Sequence, residues 1–555
     1  MPCGRSQLDS APLRPYAVNI DVARGEGVVI VGGVGTGKTE CAFALAGLAD
    51  GLPAGMSMHL DGEGLYSLSA ERRAQLIGIV PCQPHLIFSC IASSLRREME
   101  LCFAFLGRDP DQPLIDEIGA LMRIDHLMDH NPLLLSGGEK VRLAIALGLL
   151  KKPAVMVFDD ALRELDPITE HEIQGALDSF RSKQGLITVE FQTRPRESSA
   201  TAVSQWLFIT KGGVTQGTLD SCWRSVAACD SGLLPPYAAL AVRLEQAFNI
   251  QYPAPPTSPD AVAAPFLTRR EGWRVKPVEE GSSFREAPGE SRLSVSQLAY
   301  RYPNNAEFRL GPISHVIASG TVTGLLGQNG AGKTTGLRCL GNLITDWTGE
   351  ISILPGLSAS QIRLPGWARA VLYCFQNPDD QLFLGTVREE MRVAAKFTRD
   401  RSYDIEPRVE QVAEELGFRD MLDSSPADLP RPLRRMVTLG AALVANPPVL
   451  LLDEPTVDLD EELIRRVVQV ILRYRDAGGT VVLVSHDYDF VGNVCDEVLL
   501  LERGALFRKA SRRQQEPWPF DPVPCVARVA QLLDGERIVW AERDLLELLK
   551  SQSAL

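Results

Sequence analysis

At 555 residues the chain has room for two large domains, or three to four of about 150 residues each. Its 45% hydrophobic and 23% charged content is ordinary globular composition and excludes disordered and low-complexity classes. A net charge of −13 argues against a protein whose main work is gripping nucleic-acid phosphates or anionic headgroups, and 11 cysteines without a C-x-x-C pair exclude a paired disulfide framework or zinc knuckle and favour reduced thiols.

The opening Met1-Pro2-Cys3-Gly4-Arg5 has no charged region followed by an apolar one, so no signal peptide is expected. The first predicted element is a short buried strand, Val28–Val31, which runs into GGVGTGKT at Gly32–Thr39 and then a helix. An apolar-to-polar turn carries Gln83. Leu135-Ser136-Gly137-Gly138-Glu139 opens an apolar helix over Val141–Leu150. The apolar strand Val155–Phe158 ends in Asp159 and Asp160, with Leu165-Asp166 beyond it. LITVEFQTR (186–194) follows, and LLPPYAALAVRL (233–244) predicts a helix started by proline. Residues 248–290, rich in Pro, Ala, Ser and Glu with no apolar period, predict an irregular linker.

Beyond the linker, LSVSQLAYRYP (293–303) precedes a second series. The strand Thr323–Leu326 runs into GQNGAGKT at Gly327–Thr334, and Gln376 sits in a turn matching that of Gln83. The longest uncharged run, Met436–Leu452, is interrupted by Asn446-Pro447-Pro448, whereas a membrane span wants about 18 or more continuous apolar residues. It reads as a helix end plus the buried strand Val449–Leu452, which ends in Asp453 and Glu454 ahead of Leu459-Asp460, and a soluble chain is expected. Thr480–Ser485 is a third buried strand, and FDPVPCVARVAQLL (520–533) repeats the proline-started helix.

The landmarks recur in one order at a nearly constant offset, so the chain carries two copies of one domain. Fully apolar strands alternating with helices predict an α/β fold with a mostly parallel sheet, twice. The counterpart of 293–303 would fall at or before residue 8, so the first copy is expected to begin truncated.

Two glycine loops carry the strongest chemical signal. Gly32, Gly35 and Gly37 in one copy, and Gly327, Asn329, Gly330 and Gly332 in the other, let the backbone curl so that its N–H groups point at phosphates beside a helix start, which Thr335 continues in the second copy. Lys38 and Lys333 would reach the outer phosphates, and Thr39 and Thr334 would hold Mg²⁺. A carboxylate at the tip of a buried strand, Asp159 or Asp453, can hold the same ion through water, and the next residue is placed to polarise an attacking water. That residue is Glu454 in the second copy and the shorter Asp160 in the first. The serine and two glycines at Ser136, Gly137 and Gly138 make a further anion-binding helix start.

Together these motifs resemble the ATP-binding cassette family over 15–247 and 292–533. The resemblance implies two tandem P-loop nucleotide-binding domains, each with a helical signature subdomain and a short C-terminal helical extension. The boundaries expected are 1–247, a linker over 248–290, 291–510, and an extension over 511–555. It implies ATP and Mg²⁺ as ligands, with Gln83 and Gln376 joining the metal sites. It gives LSGGE the role of closing over nucleotide held by the partner cassette, and His486 that of a switch residue at the outer phosphate. Tyr302 is expected to stack on adenine, with Tyr300 as competitor and strand packing as the plain alternative for either.

The segment FQNPDDQLF (375–383) and both tails look like those of energy-coupling factor transporter ATPases, which implies docking on a transmembrane coupling protein beside this loop; Asp379 and Asp380 could also simply solvate it. The expectation is thus an ATPase subunit, with its two cassettes paired within one chain, that powers a vitamin or metal-ion importer. It would lie in the cytoplasm, peripheral on the inner face of the cell membrane, with a substrate-binding membrane component as second partner and no nucleic acid. The alternatives are a soluble twin-cassette ATPase acting on ribosomes or DNA, and the ATPase of an exporter.

The copies depart from the family pattern in complementary places. Ser136-Gly137-Gly138 corresponds to Pro430-Arg431-Pro432, which lacks the small residues and donors of a signature. The first copy has no histidine matching His486; Phe191 or Gln192 takes the switch position, depending on the gap. One site is therefore expected to match the consensus, with Glu454, His486 and Gln376 as its catalytic residues, and the other to be degenerate.

Overall fold

The computed structural model describes residues 21–51, 57–163, 165, 167–199, 203, 205–210, 213–248, 250–267, 293–303, 308–353, 356–398, 405–512, 518, 524–533 and 539–553. Contacts divide the chain into two units, Met1–Thr257 and Ser258–Leu555.

In the first unit β1 (Gly27–Gly32) is buried along its whole length and feeds the glycine loop and α1 (Lys38–Leu45). Then come β2 (Ile77–Val80), α2 (Leu95–Phe105), α3 (Gln112–Leu121), α4 (Gly137–Leu150), β3 (Val155–Asp159), α5 (Pro167–Gln184) and β4 (Ile187–Gln192). The hairpin β5 (Gln205–Thr210) and β6 (Gly213–Gly217) and the helices α6 (Leu219–Asp230) and α7 (Pro236–Phe248) complete the unit. The sheet runs β2-β3-β4-β1-β5-β6, parallel except for the antiparallel edge β6. Strands covered on both faces must be apolar throughout, which is why β1 and β3 read as continuous runs. The helices α2, α3 and α4 join a core with Met99, Ile115, Ile118 and Ile145 buried.

The second unit begins with α8 (Pro259–Leu267). Strands β7 (Leu293–Tyr300) and β8 (Leu310–Ile317) precede β9 (Val322–Leu326), the second glycine loop and α9 (Lys333–Leu340). They are followed by β10 (Thr348–Ile353), β11 (Leu357–Ser358), β12 (Val371–Cys374), α10 (Val387–Thr398), α11 (Glu406–Leu416), α12 (Arg431–Ala445) and β13 (Val449–Asp453). The last elements are α13 (Glu461–Asp476), β14 (Thr480–Val484), α14 (Tyr488–Val494), β15 (Glu497–Glu502), β16 (Ala505–Ser511), α15 (Cys525–Leu533) and α16 (Glu542–Ser553). The order β12-β13-β14-β9-β15-β16 repeats that of the first unit, strand for strand.

A separate antiparallel sheet, β8-β7-β10-β11, is added to the second unit. The segment 293–303 thus contributes a strand to that sheet; its expected counterpart in the first copy lies outside the described residues. The stretch 248–290 is not irregular throughout. Ser258 accepts a hydrogen bond from the Ala261 N–H (3.3 Å), Pro259 follows at the first helical position, and α8 packs on α15 with Val262 and Phe266 buried. A serine-proline-aspartate helix start was legible there, but Pro265 hides the apolar period around it. Putting a charge into this contact, with Val262→Asp, should cost about 3 kcal/mol or more. Hydrogen exchange across 525–533 should then accelerate while that of β1 and β3 stays unchanged.

Candidate nucleotide sites

The two glycine loops turn through left-handed glycines at the same two places. Gly35 and Gly330 sit at φ 77° and 79° with open space where a Cβ would project. A Cβ on Gly327 would come within 2.3 Å of the Leu501 carbonyl oxygen, so that position admits only glycine. Gly37 and Gly332, both left-handed, precede the first residues of α1 and α9. The buried Lys38 Nζ donates to the Gly32 and Gly33 carbonyls at 2.7 and 2.8 Å, and Lys333 Nζ to those of Gly327 and Gln328 at 2.7 and 3.0 Å. Each loop is thus curled around its own ammonium group, with Asn329 exposed at the rim of the second.

At the strand tips, Thr39 Oγ1 and Thr334 Oγ1 each donate to Oδ1 of Asp159 and Asp453 at 3.2 Å. A hydroxyl beside a buried carboxylate is a hard-oxygen donor set that fits Mg²⁺. The two copies differ at the other carboxylate oxygen. Asp453 Oδ2 accepts from the Tyr373 hydroxyl at 2.7 Å, whereas Asp159 Oδ2 is buried without a hydrogen-bond partner. Burial pushes Asp159 up to about 6, and the neighbouring Asp160 charge pushes the same way. Burial also raises Asp453, but Tyr373, Thr334 and the Arg338 charge pull against it. Gln83 is half-buried and Gln376 exposed, each in the turn leaving its edge strand, β2 or β12.

The next carboxylate is fixed by an unusual backbone. Asp160 and Glu454 both sit at φ 50°, and their N–H groups donate to the Phe191 and Val484 carbonyls at 2.9 Å. This register equates Phe191 with Val484, so Thr193 stands where the second copy has His486. The expectation of Phe191 or Gln192 at that place is therefore corrected by two residues or one: both are buried on β4. In the second copy the His486 N–H donates to Glu454 Oε2 at 3.2 Å, and His486 Nε2 lies 3.4 Å from Oε1. In the first, the Thr193 N–H lies 2.9 and 3.1 Å from the two Asp160 oxygens, and the Thr193 hydroxyl also bonds one of them. Behind this clasp Arg196 pairs with Glu190 and Glu170, and Gln192 bonds Glu190 (3.0 Å) and Ser199 (2.7 Å).

The signature helix α4 starts from an exposed capping box: Ser136 Oγ accepts from the Glu139 N–H at 3.5 Å and Glu139 accepts from the Ser136 N–H at 2.8 Å. Gly137 is exposed with open space around it, and Gly138 is buried. Its counterpart α12 begins after Pro430 with no side-chain cap, and its first five residues include Arg431, Pro432, Arg434 and Arg435. Arg434 pairs with Asp379 of the 375–383 segment, so Asp379 does more than solvate that loop. Tyr302 lies beside the helix that follows the second glycine loop, its hydroxyl 3.2 Å from that of Thr335, and packs edge-on against the buried Tyr300. Asp460 caps α13 through the Leu463 N–H (3.0 Å), and Leu165 and Leu459 are buried; Asp166 lies outside the described residues.

Sequence reasoning missed Thr193, Tyr373 and the buried Glu98 and Glu390. The glutamates accept from backbone N–H groups of Ser89 (2.5 Å) and of Phe383 and Leu384, pinning the loops that follow Gln83 and Gln376. It also missed Glu40, an acid in the first copy where Thr335 stands in the second. No helix among the described residues is long and apolar enough to cross a membrane.

Two α/β units, each with a lysine-filled glycine loop facing a carboxylate-tipped strand and a separate helical layer, define a tandem P-loop ATPase of cassette type. The family described as ABC transporter matches residues 16–163 and 310–457, more than half of the chain, and the chain belongs to it. It is a transporter's ATP-binding subunit, an ATPase that works with membrane components. The chain is 25% identical over 496 residues to the Bacillus subtilis (strain 168) protein named "Putative HMP/thiamine import ATP-binding protein YkoD", covering 87% of this chain and 86% of that one. It is 24% identical over 505 residues to a "Putative ABC transporter ATP-binding protein" of Caldanaerobacter subterraneus subsp. tengcongensis, covering 88% and 86%. Among solved structures, cbiO1 from Clostridium perfringens, part of the ABC transporter complex cbiONQ, is 26% identical, covering 40% of this chain and 89% of that one with a TM-score of 0.36.

The orphaned oxygen of Asp159 makes a measurable difference between the copies. With the folded-state value raised, the cost of burying this charge is absent below about pH 4 and full above about pH 6. At pH 7.5, without nucleotide or Mg²⁺, Asp159→Asn should stabilise the first unit by on the order of 2 kcal/mol and raise its thermal transition. Asp453→Asn, which disturbs an oxygen already held by Tyr373, should not. Equal shifts in the two variants would contradict the difference.

Proposed function

We propose that the chain powers an energy-coupling-factor type importer of a vitamin or metal ion, with one hydrolytic and one binding-only ATP site. The carrying observation is the contrast between Glu454, whose carboxylate faces His486 at 3.4 Å, and Asp160, whose carboxylate is occupied by Thr193. Lys333 and the N–H groups around Gly327, Asn329, Gly330, Gly332 and Thr335 would bind the phosphates, with Tyr302 beside the base. Thr334, Asp453 and Gln376 would hold Mg²⁺, whose charge would neutralise the phosphate oxygens. Glu454 would accept the proton of the attacking water while His486 orients it and the outer phosphate. Ser136, Gly137 and Gly138 would cap this nucleotide, following the family's head-to-tail use of the signature.

In the other site Lys38, Thr39, Gln83 and Asp159 retain the means to bind nucleotide. Asp160 is one methylene shorter than Glu454, faces Thr193 where Glu454 faces His486, and accepts from both the N–H and the hydroxyl of that threonine; Pro430, Arg431 and Pro432 offer no signature. Glu40 further opposes phosphate charge near that loop. Binding without efficient turnover is the consequence. Glu454→Gln should lower ATP turnover by about 100-fold or more and Asp160→Asn by less than about two-fold, measured in the assembled complex. Equal losses would sink the unequal-site reading.

The importer assignment is supported by the likeness to a relative named for HMP/thiamine import and by the 375–383 segment. Phe383 is 74% exposed next to the pinned backbone of that segment, and Leu86 and Ile91 are 61% and 75% exposed beside Gln83. Apolar side chains held out on rigid loops suit a membrane subunit's cytoplasmic surface. The chain would then lie peripherally on the inner face of the cell membrane, against a transmembrane coupling protein and a substrate-binding component. Phe383→Asp should abolish co-sedimentation with membranes carrying those partners while leaving ATP binding unchanged; retention on the membranes would contradict the docking face.

A further inference from the structure

We propose that Arg431, Arg435 and Asp458 position the Glu454 peptide, so that the altered signature turn of α12 serves the attacking-water carboxylate of its own copy. The inference rests on Glu454 acting on water, as argued above.

Glu454 at φ 50° and Asp458 at φ 67° place two non-glycine residues in the left-handed region within one short turn. Such residues are strained and persist where their surroundings hold them. For Glu454 the holding groups lie on two sides. Its N–H is bound by the Val484 carbonyl of β14 at 2.9 Å, and its carbonyl accepts from Arg435 Nη1 at 2.9 Å. Arg435 is 4% exposed, so this bond is made away from competing water. With both neighbouring peptide groups tied, the Glu454 side chain leaves the strand tip in one direction.

Arg431 enters through Asp458. Its Nε lies 3.4 Å from Asp458 Oδ2, and Arg435 Nη2 lies 3.7 Å from the same oxygen. Neither contact is a hydrogen bond, so the linkage is electrostatic: a carboxylate shared by two guanidinium groups offsets their repulsion and holds Arg435 beside the Glu454 carbonyl. The Asp458 and Arg431 side chains are only 17% and 18% exposed, so the pair is poorly screened. Pro430 and Pro432 fix φ on both sides of Arg431, which limits how far this first turn can relax. In the first copy the corresponding residues are Gly137 and Val141, which have no such groups, and the carboxylate after the strand is held by Thr193 instead. What reads in the sequence as a ruined anion site is, in three dimensions, a helix start turned inward.

The test uses the full chain. Arg431→Ala and Asp458→Asn should each lower kcat for ATP about ten-fold, with KM and the affinity for ATPγS changed less than about two-fold. The double variant should fall no further than either single one, since both break one linkage. Arg431→Lys, which keeps the charge but not the planar fork, should retain more activity than Arg431→Ala. A residue that only stabilised the fold would alter melting and leave kcat of the folded protein alone. If Arg431→Ala does not fold, Asp458→Asn and the exchange of the pair, Arg431→Asp with Asp458→Arg, decide. Recovery of kcat in the exchange above that of Asp458→Arg alone supports the linkage, and no recovery overturns it. Unchanged kcat in Arg431→Ala and Asp458→Asn, with Glu454→Gln inactive, overturns the positioning role alone. Turnover surviving in Glu454→Gln overturns the assignment of Glu454 itself.

Discussion

The peptide after each central strand tip is the constraint on which both sites depend. A fully buried parallel strand has to end in a residue that can leave the sheet while keeping its N–H satisfied. In both copies that residue is acidic, left-handed, and bonded to the neighbouring strand at 2.9 Å. This geometry sets the distance from the carboxylate to the glycine loop, and it makes whatever follows the neighbouring strand the residue that faces the carboxylate. Chemistry at the site is therefore decided by a strand register, and the register is held by a row of backbone bonds independent of side chains.

Because the backbone is shared, the copies can diverge one side chain at a time. The lysine contacts and the Thr39–Asp159 and Thr334–Asp453 distances are nearly the same in both. The differences lie around that common frame. Tyr373 satisfies Asp453, whereas the matching position on β2 is Ile79, which has no polar group to offer Asp159. The neighbouring strand is apolar over Val481–Val484 in the second copy, but in the first it carries Glu190 and Gln192 in a buried polar network, with Thr193 just beyond it. Such a network is stable only when nearly all its members are bonded. Arg196 closes this first-copy network through Glu190 and Glu170, while Thr193 ties it to the Asp160 carboxylate.

The glycine loops, the strand tips, the signature and the repeat itself were legible because each is a contiguous pattern whose residue types follow from backbone geometry or phosphate chemistry. The parallel sheets followed from apolar runs. Less legible were features that depend on pairing between distant segments. Thr193 could be placed only through the β3–β4 register, since the gap between LITVEFQTR and VLVSHD is ambiguous by a residue or two. The antiparallel sheet of the second copy uses two-residue and bulged strands, whose alternation is too short or too broken to read. The helix Pro259–Leu267 was obscured because its buried face is defined by α15, far along the chain.

The two signature helices show how a helix start can be spent in either direction. Four N–H groups at the start of any helix lack intrahelical partners, and small residues before them leave room for an anion to approach. Ser136 and Gly137 keep that approach open, exposed and uncrowded. In α12 the residue before the helix and its second position are both proline, so fewer donors remain and the turn is stiff. A stiff turn is a poor ligand clamp but a good mount for long side chains, and three arginines project from it onto Asp379, Asp458 and the Glu454 carbonyl. The prolines that remove donors from this start also hold its arginines toward the turn that carries Glu454.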